Sequence, residues 1–342
     1  MTTTIKVAGV GAGYFSRFHY GSWARIDRVR VVGVPDPDLP RALATGHPAF
    51  GDLVSMVEAT RPDLLDIIVP PAAQARAIRT ALALGVRTFI CQKPFCMDLA
   101  EARAITAEVN ALGARLIIHE NFRFQPWYRA MHREIEDGTI GHVLQATFRL
   151  RPGDGQGPDA YLDRQPYFQK MERFLVHETG VHFVDIFRFL LGDPVAVYAD
   201  LRRINPVIAG EDAGYVLFDH ANGARALFDG NRHLDHRADN LRRTMGEALI
   251  EGTTGSLTLT GDGAVHRRRF GTGESHLVLP PDRWDGFGGD CVHALQTHVI
   301  GGLLDREPLE NMASDYLKVV AIEEAIYRSA AEGRKIALET AA

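Results

Sequence analysis

The 342-residue chain has little of several things. It has three cysteines, Cys91, Cys96 and Cys291, too few for a disulfide framework and with no C-x-x-C pair among them. Reduced thiols and a cytoplasmic location are therefore expected. A nucleophilic role for Cys91 or Cys96 would need an activating partner that the neighbouring residues do not supply. No apolar run is long enough to span a membrane, and the first strand begins so early that no room is expected for a signal peptide. Net charge is only −5 with both signs mixed, which excludes the electrostatic footprint of a nucleic-acid or anionic-membrane binder. The tight basic cluster Arg267-Arg268-Arg269 reads as a solvated strand. There is no internal repeat and no low-complexity segment. What remains is an ordinary globular chain, 46% hydrophobic and 24% charged, long enough for two domains.

The chain is organised around Lys6 to His19, KVAGVGAGYFSRFH. Val7, Ala8 and Val10 read as a buried strand, Gly11 and Gly13 as a tight turn, and Tyr14 onward as a helix whose N-terminal end would face a phosphate. The pattern is G-x-G-x-x-G with Ser16 at the third position. A second apolar run, Val29 to Val34, ends at Pro35-Asp36, and Asp36 stands where an acid takes the ribose hydroxyls of a dinucleotide. That acid favours NAD; Arg41 leaves NADP possible.

Further along, strands and helices alternate. A polar connection leads to a helix over Phe50–Thr60 and a strand over Leu64–Val69 that Pro70-Pro71 stops. A helix follows over Ala72–Leu84, then a strand over Val86–Cys91, a helix over Leu99–Leu112 and a strand over Arg115–His119. This predicts a doubly wound parallel sheet over residues 1–122. After Phe122 the pattern changes. A helix is expected over Tyr128–Glu136, a strand over Val143–Leu150, a glycine-rich loop over Pro152–Pro158 and one continuous helix over Phe174–Leu191. Seven short strands follow between Val195 and Leu279, separated by tight turns that favour antiparallel pairing. Helices over Asp290–Leu304 and Ser314–Glu332 close the chain. Residues 123–342 thus form a second domain, a largely antiparallel sheet with helices on one face and the other open to a ligand or another subunit, and the closing helices are free to pack back on the first domain.

Three places carry candidate chemistry. Lys93 ends a strand of the parallel sheet, the edge where such sheets bind ligands. In His177-Glu178-Thr179-Gly180-Val181-His182-Phe183-Val184-Asp185, helical spacing puts Glu178, His182 and Asp185 on one face, an arrangement suited to proton transfer; a salt-bridged structural face and a metal site are the rivals. Asn121 to Pro126, NFRFQP, marks the domain crossover. His19, His293 and His298 read as packing or solvent-facing residues.

Together these segments resemble one family. GVGAGYFSRFH, PPAAQARAIRTALALGVRTFICQKP, ENFRFQP, GVHFVDIFRFLLG and YLKVVAIEEAIYRSAAEGRKIAL occur in an order similar to that of the Gfo/Idh/MocA oxidoreductases. The resemblance implies a Rossmann domain, an α+β domain with an open-faced sheet that forms homo-oligomers, a nicotinamide cofactor, and hydride transfer at a secondary alcohol of a sugar, cyclitol or sugar acid. It gives Lys93 the catalytic lysine role, His182 the acid–base role, and Glu178 the place of an Asp. Gln92 stands where the family has Glu, and Ser16 where it has Gly. Cofactor contacts are then expected from Gly11, Ala12, Gly13, Tyr14, Phe15 and Asp36 on the first half of the sheet. Val69, Pro70, Gln74, Gln92, Lys93 and Asn121 are expected to supply the rest. Substrate contacts are expected from Lys93, Arg123, Arg151, Glu178, His182 and Arg232, and no metal is expected. The same resemblance admits NAD-dependent glycoside hydrolysis or a non-catalytic dinucleotide-binding regulator.

Overall fold

A computed structural model describes residues 4–339. The chain divides into two compact units, residues 1–121 with 292–320, and residues 122–291 with 321–342. The expected cut at residue 122 puts 292–320 in the second domain, whereas these residues cluster with the first unit.

The first unit is built on six parallel strands, β1 (Ile5–Val10), β2 (Val29–Pro35), β3 (Ala49–Phe50), β4 (Leu64–Ile67), β5 (Thr88–Gln92) and β6 (Arg115–His119). Their order, β3-β2-β1-β4-β5-β6, is that of a Rossmann sheet. The apolar runs pair directly in register, Val7 with Leu64, Leu65 with Phe89 and Ile90 with Ile117, and these residues are buried. Continuous rather than alternating hydrophobicity is what a sheet covered on both faces requires. Between the strands run α1 (Ser16–Trp23), α2 (Leu39–Ala44), α3 (Leu53–Thr60), α4 (Pro71–Ala83) and α5 (Leu99–Ala111). Gly85 follows α4 at φ +90°, a left-handed position that stops the helix.

Two expectations fail here. The polar connection after Asp36 contains α2, capped by the Asp38 carboxylate on Arg41 N–H, with Pro40 in its first turn. Phe50 belongs to the edge strand β3 rather than to the helix, which starts after Asp52 accepts from Ser55 N–H.

The second unit carries α6 (Pro126–Glu136), β7 (Val143–Leu150), α7 (Val181–Leu191) and strands β8 (Pro194–Arg202), β9 (Ala213–His220), β10 (Arg225–Asn231), β11 (Gly246–Gly252), β12 (Gly255–Leu259), β13 (Val265–Arg269) and β14 (Ser275–Leu279). With β15 (Ile336–Ala337) they form one sheet ordered β14-β13-β12-β11-β7-β10-β9-β8-β15. Neighbours are antiparallel except β7 and β10, which run parallel. The alternation seen in the sequence buries one face. Phe148, Phe228 and Phe218 point inward against α7, where Phe183 stacks on Phe148 with centroids 4.0 Å apart and on Phe228 at 5.1 Å. Burying each such ring contributes about 2–3 kcal/mol. The remaining helices are α8 (Phe287–Leu304) and α9 (Ala313–Glu332). Gly288, Gly289 and Asp290 are left-handed, so regular helix in α8 begins only after Asp290. Among the described residues, no helix is long and apolar enough to cross a membrane.

The continuous helix expected over Phe174–Leu191 is also corrected. Leu175–Gly180 is π-helical and only Val181–Leu191 is α-helical. π-Helical turns of this kind frequently mark functional sites.

Candidate active site

In the first unit the glycine turn leaves β1 at Gly11, whose φ is +102° and where a Cβ would stand 2.8 Å from the Ile68 carbonyl oxygen. Only glycine fits there. Gly13 is exposed and a Cβ there would meet nothing within 4 Å, the open space a phosphate needs beside a helix start. Ser16, at the third position, is buried and donates its hydroxyl to the Gly13 carbonyl at 2.8 Å. The helix starts at Ser16 instead of Tyr14. Close packing of helix on strand is supplied by Gly9 instead, where a Cβ would run into the Tyr20 ring. Tyr20 in turn donates to the Gly11 carbonyl at 2.8 Å. Asp36 follows β2 directly and accepts from Ala12 N–H and Asp38 N–H, both at 2.8 Å. A left-handed glycine, an open cradle and a carboxylate held at the end of β2 fit a dinucleotide. Arg41 is exposed and pairs with Asp38 at 2.9 Å.

Lys93 is half-buried at the end of β5 and its segment is held by uncharged groups. Its N–H donates to Gln92 Oε1 at 2.8 Å. The Gln74 side chain is completely buried and donates to the carbonyls of Gln92 at 2.8 Å and Pro94 at 3.1 Å, while accepting from Cys96 N–H at 2.8 Å. Gln74, expected to touch the cofactor, clasps the Lys93 segment. Gln92 likewise turns its amide inward, to Lys93 N–H on one side and to the ring of His19 on the other, 2.9 Å away. Burial, helped by Glu101, pushes the Cys96 thiol up to about 12, and burial also raises Cys91, so both are unreactive thiols. Val69 is half-buried, Pro70 is exposed at the start of α4, and Asn121 is buried.

In the second unit the π-helical segment is fixed at its start by Glu211. One Glu211 carboxylate oxygen accepts from Phe174 N–H, Val176 N–H and the Tyr327 hydroxyl, and the Glu211 carbonyl accepts from Leu175 N–H. His177 pairs with Glu323 at 2.6 Å. Glu178 lies between Thr179, whose hydroxyl donates at 2.5 Å, and Arg232, 3.4 Å away. Arg232 is buried at 2% exposure and donates to both oxygens of Asp154 at 3.1 and 2.9 Å, with its guanidinium over the Phe174 ring at 4.7 Å. Burial alone would raise the Asp154 carboxyl, but Arg232 and then Arg164 outweigh it and hold Asp154 below the usual carboxylate range. His182 is buried on α7 and stacks flat on Phe122, centroids 3.7 Å apart.

The arginines expected to meet substrate each face a carboxylate of their own unit. Arg123 makes a bidentate pair with Asp185 at 2.7 and 2.5 Å, Arg151 reaches Asp229 at 2.5 Å, and Arg232 reaches Asp154. Asp185, expected on one proton-transfer face with Glu178 and His182, is thereby engaged by Arg123. Sequence reasoning missed Glu211, Tyr327, Asp154 and Asp66, and read His19 as a packing residue although it sits between Asp66 and Gln92. Its only sequence signal was a histidine on the helix directly after the glycine turn.

Comparison with known proteins places the chain in a family. Residues 5–120 match the sequence profile of the oxidoreductase family with an NAD-binding Rossmann fold, and residues 128–258 match that of the GFO/IDH/MocA C-terminal domain. The chain belongs to the GFO/IDH/MocA oxidoreductases. It is 34% identical to a D-apiose dehydrogenase of Paraburkholderia graminis, over 99% of this chain and 92% of that protein. It is 24% identical to an inositol 2-dehydrogenase of Rhizobium meliloti, over 98% and 99%. Among solved structures it resembles an Agrobacterium radiobacter oxidoreductase in complex with NAD+, L-tartaric acid and magnesium, with a TM-score of 0.88, 28% identity and 98% of each chain covered.

Proposed function

We propose that the protein is an NAD-dependent dehydrogenase of a small carbohydrate in which Lys93 and His182 carry the proton chemistry. The observation that supports this most directly is the double clasp on the Lys93 segment by the buried amides of Gln74 and Gln92, since an ordinary surface lysine needs no such support. A bound nicotinamide would supply the hydride acceptor. Lys93 or His182 takes the hydroxyl proton, and the other steadies the developing oxyanion. Glu178, restrained by Arg232, hydrogen-bonds a neighbouring hydroxyl. Gly11, Ala12, Gly13, Tyr14 and Phe15 hold the pyrophosphate, and Asp36 the ribose. Arg123, Arg151 and Arg232 shape the substrate side chiefly by fixing carboxylates. Residues 1–121 thus serve the nucleotide, and the sheet-bearing unit serves the substrate.

The test follows the near-ultraviolet absorbance of reduced nicotinamide with NAD or NADP against pentoses including D-apiose, inositols and sugar acids. Reduction by one substrate class, lost in Lys93→Ala and His182→Ala, is expected. Bound NAD with no panel member oxidised would overturn the dehydrogenase reading, and release of an aglycone from aryl glycosides without net NADH would replace it with hydrolysis.

We also infer a homo-oligomer through the open face of the second sheet. Tyr198, Leu217, Leu227, Thr147 and Leu249 are register partners in one row across five strands, and Leu217 and Leu249 are 42% and 38% exposed. Leu217→Lys should shift the sedimentation velocity to that of a smaller species. Three buried free thiols support a reducing, cytoplasmic location, which cell fractionation would check.

A further inference from the structure

Behind Lys93, within the first unit, lies a buried chain of polar side chains. His19 on α1 and Asp66 on β4 are fully buried, and His19 Nδ1 is 2.8 Å from Asp66 Oδ2. The same carboxylate oxygen accepts from Trp23 Nε1–H at 2.8 Å and from Gln296 Nε2–H at 3.4 Å. The other ring nitrogen, His19 Nε2, faces Gln92 Nε2 at 2.9 Å, and Gln92 Oε1 faces Lys93 N at 2.8 Å.

Donor and acceptor chemistry leaves one assignment. A backbone N–H can only donate, so the oxygen of the Gln92 amide must face Lys93. The amide nitrogen then faces His19, and it too can only donate. His19 Nε2 must therefore be a bare acceptor, and the ring proton sits on Nδ1, where Asp66 accepts it. A proton on Nε2 would set two donors against each other in a site without water access, a cost of the kind that buried polar groups avoid. Against the ring lie His119 on β6, its centroid 4.1 Å away, and Phe15 on the preceding turn, at 5.7 Å, while Gln296 on α8 bonds to Asp66 and the Cys91 thiol on β5, kept neutral by burial, feels the Asp66 charge. Asp66 is the carboxylate bonded to the His19 ring.

We propose that Gln92 is a positioning residue that holds His19 in its neutral, Nδ1-protonated form and hangs the Lys93 backbone on the His19–Asp66 pair. The proposal rests on reading Lys93 as a proton-transfer residue. A glutamate at position 92 would accept from Lys93 N–H and also from a protonated His19 Nε2. It would thus bring in a negative charge and call for an imidazolium, leaving the net charge of the cluster unchanged while changing where the proton resides. Gln92 is the choice that keeps the route to Lys93 free of a movable proton.

The state of the ring is measured by nuclear magnetic resonance on the full-length protein with uniformly 13C,15N-labelled histidine, whose side-chain carbons link each backbone nitrogen to its own ring, and 13C-carbonyl phenylalanine. Phe18-His19 is the only Phe-His step in the sequence, so the double label picks out His19 among the 14 histidines. The expected wild-type spectrum has an unprotonated Nε2 and a protonated Nδ1 at neutral pH, and Gln92→Glu shifts both nitrogens to the protonated position. Gln92→Met, which removes both hydrogen bonds, should lower kcat by up to about a hundredfold with the KM for NAD retained. Gln92→Glu should add an inflection to the pH profile of kcat. A wild-type ring protonated at Nε2 overturns the proposal, as does an unchanged ring in a folded Gln92→Glu variant or an unchanged kcat in Gln92→Met. If Gln92→Glu does not fold, the wild-type spectrum decides the tautomer alone. Absence of any sugar oxidation would overturn the functional reading instead, while the His19 spectrum would still stand or fall by itself.

Discussion

Lys93 and Glu178 are placed by opposite means. Around Lys93, in the first unit, the supporting groups are the amides of Gln74 and Gln92, and they grip backbone atoms. Around Glu178, in the second unit, the supporting groups are Arg232, Asp154 and Arg164, and they grip one another by charge. The difference teaches what each kind of support is suited to. Amides fix a segment without placing a net charge beside the lysine. A buried arginine with two carboxylates fixes position and sets a local potential as well, but it holds only while every partner stays ionised.

The sharpest way to break the contrast is Arg232→Leu. It leaves Asp154 and Glu178 without their shared cation in a site where Arg232 was almost fully buried. We expect a loss of about 4 kcal/mol, read as a lowered denaturant midpoint. A loss near zero would mean that the aromatic packing of Tyr161, Phe168 and Phe174, and not charge, holds this region. Second is Gln74→Leu, which strips partners from the Gln92 and Pro94 carbonyls and from Cys96 N–H while adding no charge. About 3 kcal/mol is expected, together with a fall in kcat because the Lys93 segment loosens.

The third prediction concerns pH and separates the two regions directly. The folded-state value of Asp154 is depressed, so its contribution to stability is complete above the unfolded carboxylate value, near pH 4, and is lost as pH falls through the lower folded value. Asp154→Asn should therefore cost about 2 kcal/mol at neutral pH, and the gap from wild type should close below about pH 4. The gap produced by Gln74→Leu should not change over that range. Unfolding midpoints followed against pH for both variants check this, and parallel behaviour of the two would erase the distinction.

Much of this was legible before the fold was seen, and what was not has physical reasons. The runs VRVVGV and LLDIIV announce strands covered on both faces, and QATFRL and AGYVLFDH announce strands covered on one, because hydrophobic period follows burial. Gly11 and Asp36 were readable because a turn with positive φ and an acid at a strand end are local demands. The π-helical segment was not readable. One extra residue over Leu175–Gly180 turns later positions by about 100° relative to earlier ones, but a single such offset in a segment this short and this apolar does not show as a change of period. The helix α2 should have been found, since Asp38 before Leu39-Pro40 is an N-terminal signature. The two supporting networks could not be read at all. Asp66 lies 47 residues from His19, Gln92 lies 73 from it, and Asp154 lies 78 from Arg232, so only the fold brings them together. An isolated Gln, His or Arg in a sequence carries no mark of such a partner.

The smallest expected effect sharpens the comparison most cheaply. Asp98 caps α5, accepting from Glu101 N–H at 2.8 Å, and Glu101 answers by accepting from Met97 N–H at 3.0 Å. This cap stands just beyond the clasped segment, after Cys96, which takes the left-handed φ of 64°. Asp98→Ala removes one hydrogen bond at an exposed helix start, and we expect a loss of about 1 kcal/mol. Because the Gln74 and Gln92 amides are untouched, kcat should stay at the wild-type value even though the same stretch of chain is weakened. A fall in kcat matching that of Gln74→Leu would mean that Lys93 responds to any loosening between β5 and α5. The amide clasp would then be one support among several, and the contrast with the charged support of Glu178 would reduce to a difference in stability alone.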